Sequence, residues 1–188
     1  MKIIGLSMDK YQALAMRTSP RDGHDKIDNG VLGLIGETGE LVDVYKKWQY
    51  QSGDDALLPA ERLADELGDV LWYLAELADG MDMPLCKLAL NDFRDLDAAA
   101  RKPGGRTRSL RSLVIGLNGR ANRMSKAVDR GDTRNIGVEA RRMLAGMARL
   151  ANLIGSSLEA VARANIKKLE KRYPEGFDPV ISMRRYEG

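Results

Sequence analysis

At 188 residues, with 44% hydrophobic and 30% charged side chains, the chain is long enough to bury a core and has the composition of a soluble helical protein. Its single cysteine excludes an internal disulfide and fits a reducing, cytoplasmic compartment. The start MKIIGLSMDKY has too short an apolar run for a signal peptide, and no segment approaches the roughly 18 apolar residues of a membrane span. The net charge of +3 conceals a division: residues 1–100 carry 10 basic and 19 acidic side chains, a net of −9, and residues 101–188 carry 20 and 8, a net of +12.

In chain order, a short helix is predicted over Met8–Met16, then a loop, TSPRDGHDKIDNG, in which His24 is expected to be solvated. Asn29 is a helix N-cap or a substrate contact, with capping favoured. The next helix, Val31–Trp48, repeats Leu34, Leu41, Val44 and Trp48 at helical spacing. Glu37 falls inside that stripe and Glu40 lies three residues on, so the two carboxylates project together. Gly33, Gly36 and Gly39 weaken the helix by about 1 kcal/mol each, which suggests a close approach to its backbone. At its end Lys47 is a dipole cap or a phosphate ligand, and Trp48 a core residue or a base-stacking one.

The helix Glu61–Met81 repeats the anomaly, with Glu66 and Asp69 at the edge of a leucine-rich face. Trp72 is assigned to the core. A short connection makes the two helices antiparallel neighbours, so four carboxylates can meet in one cleft. Charges pointing toward a core are costly unless paired or holding a metal. Four oxygen donors suit Mg²⁺, with Mn²⁺ as the alternative. One histidine and one cysteine argue against Zn²⁺. Acidic pairs of this spacing also occur on solvated helix faces, and spacing alone does not choose between the two. A third helix, Leu85–Ala100, is expected to stop before Lys102-Pro103-Gly104-Gly105, the expected linker.

Four blocks now stand in order: YQALAMRT, GLIGETGELVDVYKKW, LADELGDVLWYLAELAD and NIKKLEKRYPEGFDP. Together with the pattern Glu37-x-x-Glu40 … Glu66-x-x-Asp69, they resemble the MazG-like nucleoside-triphosphate pyrophosphohydrolases, an all-α family. The resemblance implies cleavage of a nucleoside triphosphate to monophosphate and pyrophosphate. It implies Mg²⁺ held by Glu37, Glu40, Glu66 and Asp69, and for a water activated there Glu37 or Glu40 is the expected proton acceptor. It also implies that Asn165, Lys168, Arg172 and Tyr173 reach phosphate or base. The bland alternative for those four is a solvated basic face with a packed tyrosine.

The second half reads as a worn copy of the first. Gly116–Arg120 aligns with Gly33–Glu37 at an offset of 83 residues, and Arg149–Leu158 with Glu76–Leu85 at an offset of 73. Under these offsets Glu37, Glu40 and Asp69 become Arg120, Arg123 and Arg142, and Glu66 alone keeps its acid, as Glu139. Residues 1–102 are therefore expected to form a repeat with an intact acidic site, and 103–188 a degenerate one with a basic last helix. The two would pack as a pseudo-dimeric bundle with one working site.

The expected function is a Mg²⁺-dependent pyrophosphohydrolase of nucleoside triphosphates, deoxy or ribo. Its alternatives are a non-catalytic scaffold of the same fold, or the same chemistry on a substrate such as phosphoribosyl-ATP. No membrane partner is expected. A basic half favours nucleic acid, but no helix-turn-helix, RNA-binding motif or aromatic–basic interleave accompanies it; the strip 101–111 would be its location. Assembly as a homodimer is left open.

Overall fold

The computed structural model describes residues 5–20, 26–53, 55–102 and 109–183. His24, Asp54 and most of the expected linker lie outside the described residues. Those described are all-α, with no strand among them. Helix α1 (Met8–Ala15) is capped by the Ser7 hydroxyl, which accepts from the Lys10 N–H, and runs into a 3₁₀ turn at Met16–Thr18. Two long helices follow, α2 (Lys26–Gln51) and α3 (Ala60–Gly80). Then come α4 (Leu85–Ala89), α5 (Phe93–Arg101), α6 (Leu110–Val128), α7 (Thr133–Leu153), α8 (Leu158–Arg172) and α9 (Pro179–Met183).

The apolar periodicity identifies the buried faces. Leu34, Leu41 and Val44 of α2, and Leu63, Leu67, Val70, Leu71, Leu74 and Leu77 of α3, are all buried. α2 packs against both α3 and α6, α6 against α7, α3 against α8, and α5 against α7. One continuous apolar core draws residues from both halves. α3 and α7 are each 21 residues long, and their bounds coincide under the 73-residue offset.

Two local expectations are corrected. The helix expected over Leu85–Ala100 is two helices, because Leu90 adopts a left-handed conformation (φ 57°) and ends the first of them. Asp92 then starts the second by accepting from the Phe93 N–H at 2.7 Å within a capping box, and it also accepts from the Met8 N–H at 2.9 Å. Asn29 is no N-cap, since α2 begins at Lys26. Its side chain instead donates to Glu76 Oε2 of α3 at 2.6 Å.

The α2–α3 pair has a well-marked antiparallel register. From one end to the other, Lys26 meets Asp79 at 2.6 Å, Asn29 meets Glu76, Gly30 lies on Leu77, and Gly33 lies on Tyr73. A Cβ at Gly33 would stand 2.1 Å from the Tyr73 ring, whose own edge packs on Trp72 with centroids 4.9 Å apart. Gly36 and Gly39 have nothing within 4 Å of where a Cβ would be. The expected close approach is therefore real at Gly33 and absent at the other two.

Two substitutions in one helix should then act in opposite directions. Gly36→Ala should gain about 0.5–1 kcal/mol from helix propensity. Gly33→Ala should lose about 1–2 kcal/mol net, because overpacking against Tyr73 outweighs that gain. Urea unfolding of the two variants reads both signs.

Candidate metal centre and adjoining cleft

The same register carries the acids past each other one turn further along. Glu37 and Glu40 of α2 and Glu66 of α3 each offer a carboxylate oxygen, and the three oxygens lie within 4.8 Å of one another. Such proximity is unfavourable for ionised carboxylates. Burial first, and then the charges of Asp69, Glu40 and Glu66, push the Glu37 pKa up to about 7, with Lys168 opposing. Glu66 is raised as well, by burial and then by Glu40, Asp69 and Asp65. Three convergent oxygen donors without sulfur or nitrogen, held in mutual repulsion, fit a hard divalent cation.

Asp69 occupies a different position. Both its oxygens are engaged by α8, the helix delivered by the basic half. Asn165 Nδ2 donates to Asp69 Oδ1 at 3.1 Å, and Lys168 Nζ to Oδ2 at 2.7 Å. Lys168 also reaches Asp65 Oδ1 at 2.6 Å. Buried Asn165 accepts in turn from the Tyr11 hydroxyl at 2.9 Å. Burial, and after it the Asp69 charge, holds the Tyr11 pKa well above its ordinary value, so that hydroxyl stays a donor. α8 comes this close because Gly68 has no side chain: a Cβ there would lie 3.0 Å from the Asn165 Cβ.

Beside the acids lies a cleft of about 440 Å³. Asn29, Glu37, Glu40, Asp69, Trp72 and Tyr73 line it from α2 and α3; Leu169, Arg172, Tyr173 and Phe177 line it from the end of α8 and the turn beyond. Tyr173 and Phe177 stack with centroids 6.3 Å apart. Trp72 is only partly core: its indole N–H donates to Thr18 Oγ1 at 2.9 Å, and its ring forms part of the cleft wall. Of the remaining expected contacts, Lys47 and Trp48 do not line the cleft. Lys47 pairs with Asp43 at 2.6 Å, and the Trp48 indole donates to the Ala56 carbonyl at 3.1 Å.

Several residues here escaped the reading of the sequence: Tyr11 and Asp65, in the chain of bonds through Asp69, and Glu76. Glu76 is fully buried and accepts from Ser19 Oγ at 2.8 Å as well as from Asn29. A signal for Glu76 did exist. Glu66, Asp69, Tyr73 and Glu76 follow each other at intervals of three and four, so they form one stripe of α3.

The aligned positions of the second half hold the opposite charge. Glu139 is buried and accepts from Arg120 Nη1 at 3.1 Å, Arg123 Nε at 3.2 Å and Arg142 Nη1 at 3.0 Å. Burial works to raise its pKa, but the three guanidiniums outweigh it and hold the carboxyl below its usual value.

Comparison with known proteins bears on the acidic half. The model of the MazG nucleotide pyrophosphohydrolase domain matches residues 27–84, the span of α2 and α3. The chain is a member of the MazG-like family. The Gene 37 protein of Mycobacterium phage L5 is 30% identical over 102 residues, which covers 50% of this chain and 88% of that protein. No solved structure matches. The acidic cluster thus belongs to a MazG domain, and it fits the divalent-metal dependence general to that family. Asn165 and Lys168, which contact Asp69, and Arg172 and Tyr173, which line the cleft, lie outside the matched stretch. Among the described residues no helix is long and apolar enough to cross a membrane.

The electrostatics predict a pH dependence of folding. A carboxyl whose folded pKa is raised binds its proton more tightly when folded, so its stabilising effect is complete below the unfolded value and is lost as pH rises to the folded one. For Glu37 that window runs from its ordinary 4.5 to about 7. In EDTA, thermal stability should therefore fall across this window, and the slope should shrink in Glu37→Gln. Mg²⁺ added above the window should restore stability to the unsubstituted protein only.

Proposed function

We propose that this MazG-like protein is a Mg²⁺-dependent nucleoside triphosphate pyrophosphohydrolase that converts a (d)NTP and water to (d)NMP and pyrophosphate. The observation that carries this reading is the meeting of Glu37 and Glu40 with Glu66, the first two on the wall of a cleft that Arg172 and Tyr173 line from the other side. Glu37, Glu40 and Glu66 would hold the metal, joined by Asp69 once Lys168 leaves it, with Mn²⁺ as a substitute for Mg²⁺. When bound, the ion supplies charge neutralisation for the phosphates and for the departing pyrophosphate.

The protein's own groups divide the remaining work. Glu37, on the cleft wall beside the other acids, is the first candidate to accept the proton of the water that attacks the α-phosphorus. Glu40, exposed and three residues on, is the second candidate for that role. Arg172, and Lys168 once it leaves Asp69, would bind phosphate oxygens. Tyr173, Phe177 and Trp72 offer aromatic surface to the base. Asn165 fixes the Asp69 carboxylate between Tyr11 and the cleft.

The two halves are read as tandem repeats, 1–102 and 103–188, fused into a pseudo-dimer with a single metal-dependent site. Three facts favour this: the equal length and aligned bounds of α3 and α7, the delivery of α8 to the acids of α3, and the reciprocal packing of α5 on α7. The replacement of three acids by Arg120, Arg123 and Arg142 leaves the second half without a ligand set for a cation.

A panel of NTPs and dNTPs, incubated with Mg²⁺ and then with EDTA and resolved by anion-exchange chromatography, tests the chemistry. Monophosphate and pyrophosphate should appear only with metal, and Glu37→Gln should lower kcat by about 100-fold or more. Silence across the panel would favour a scaffold, and turnover of phosphoribosyl-ATP alone would change the substrate but keep the site. Equilibrium binding of a non-hydrolysable triphosphate analogue to the unsubstituted protein should find one Mg²⁺-dependent nucleotide per chain. Two equivalent ones would defeat the single-site arrangement.

A further inference from the structure

The arginine cluster of α6 and α7 holds more positive charge than its buried carboxylate requires. One cation neutralises Glu139, and Arg120, whose side chain is 20% exposed, suffices for that. Arg123 and Arg142 bind the same carboxylate although their side chains are 53% and 60% exposed. The cluster therefore carries an excess of two positive charges. A guanidinium has five N–H donors in a fixed fork, and each of these three presents one nitrogen to Glu139, which leaves further donors on the two side chains that are more than half exposed.

Among the described residues the acids of α5 and Asp132 form no ion pair with these arginines. On α5, which packs against α7, Asp92 and Asp95 close a capping box, and Asp97 accepts from the Leu158 and Glu159 N–H groups. Asp132, at the start of α7, is bound to Asn135. Gly119 leaves room for the Arg123 head, whose Nη1 would lie 3.4 Å from a Cβ there. A carboxylate beneath three guanidiniums holds them in place before a ligand arrives, which reduces the entropy lost on binding.

We propose that Arg120, Arg123 and Arg142, pinned by Glu139, form a second binding site that takes a di- or triphosphate group without a metal ion. Adjacent phosphoryl oxygens match the fork of an exposed guanidinium, and two excess cations offset part of the negative charge of a short phosphate chain. The chain of phosphates can belong to a nucleotide or be free pyrophosphate or polyphosphate. The site lies on different helices from the Glu37 cluster, and its existence does not depend on catalysis there.

Isothermal titration calorimetry of the full chain in EDTA, at low salt, tests this with sodium pyrophosphate, tripolyphosphate and ATP. One anion should bind per chain. Affinity should weaken roughly tenfold or more in the doubly substituted Arg123→Gln, Arg142→Gln protein, whose exposed positions should leave the circular dichroism spectrum unchanged. Glu66→Gln, which disables only the acidic cluster, should bind as the unsubstituted protein does. Tighter binding of ATP than of tripolyphosphate would assign the site to a nucleotide, and equal binding to the phosphate chain alone. No binding, undiminished binding after the double substitution, loss of binding in Glu66→Gln, or affinity for an oligonucleotide alone would overturn the proposal.

Discussion

The site depends on the register between α2 and α3. Along the facing stripes, Lys26 is set on Asp79, Asn29 on Glu76, and Gly33 beneath the ring of Tyr73. These contacts favour one alignment, and that alignment places Glu37 and Glu40 against Glu66. The acids themselves oppose it, since the ionised forms of Glu37 and Glu66 are disfavoured by their acidic neighbours. Packing and polar pairing at one end of the helix pair therefore hold together a repulsive cluster at the other. A site that must stay poised for a cation needs such a support, because carboxylates free to move would separate.

The second constraint is that the acidic half does not complete its own site. Lys168 and Asn165 come from α8, more than 90 residues away in sequence, and they occupy both oxygens of Asp69. Gly68 permits that approach, and Asp97 of α5 fixes the start of α8 by accepting its first N–H groups. The charge division between the halves, −9 against +12, acquires a physical meaning in this contact. The basic helix supplies the cations that the acidic pair lacks, so the half with the carboxylates and the half with the lysine act as one unit.

Much of this was legible in the sequence, for identifiable reasons. The apolar stripes of α2 and α3 follow a strict helical period, so the helices, their buried faces and the convergence of Glu37, Glu40 and Glu66 could be anticipated. The break at Leu90 could not, because a left-handed leucine has no compositional mark, and Asp92 serves as a cap only through its neighbours. Asn29 was misjudged because the helix start was placed too late. The separate commitment of Asp69 to α8 was out of reach, since it depends on how helices distant in sequence cross. Gly36 and Gly39 looked like contact points because composition shows only that a side chain is missing, not whether anything fills the space.

Glu66 apart, the two halves hold opposite charges at the acidic-site positions that the 83- and 73-residue offsets align. Under the 73-residue offset, the positions of Asn165 and Lys168 on α8 correspond to Asp92 and Asp95 at the start of α5. In the first half, acids on α3 face an amide and a lysine on α8. At the aligned positions of the second, an arginine on α7 belongs to the helix against which acid-bearing α5 packs. If the halves are copies, charge has changed sign at both aligned positions, and the capacity for a cation is lost with it. Loss of function alone would leave neutral residues at such positions, since a buried carboxylate such as Glu139 is costly without its arginines. The retention of Glu139 beneath three guanidiniums instead fits a surface kept rigid and positive, which is the property a phosphate-binding site requires.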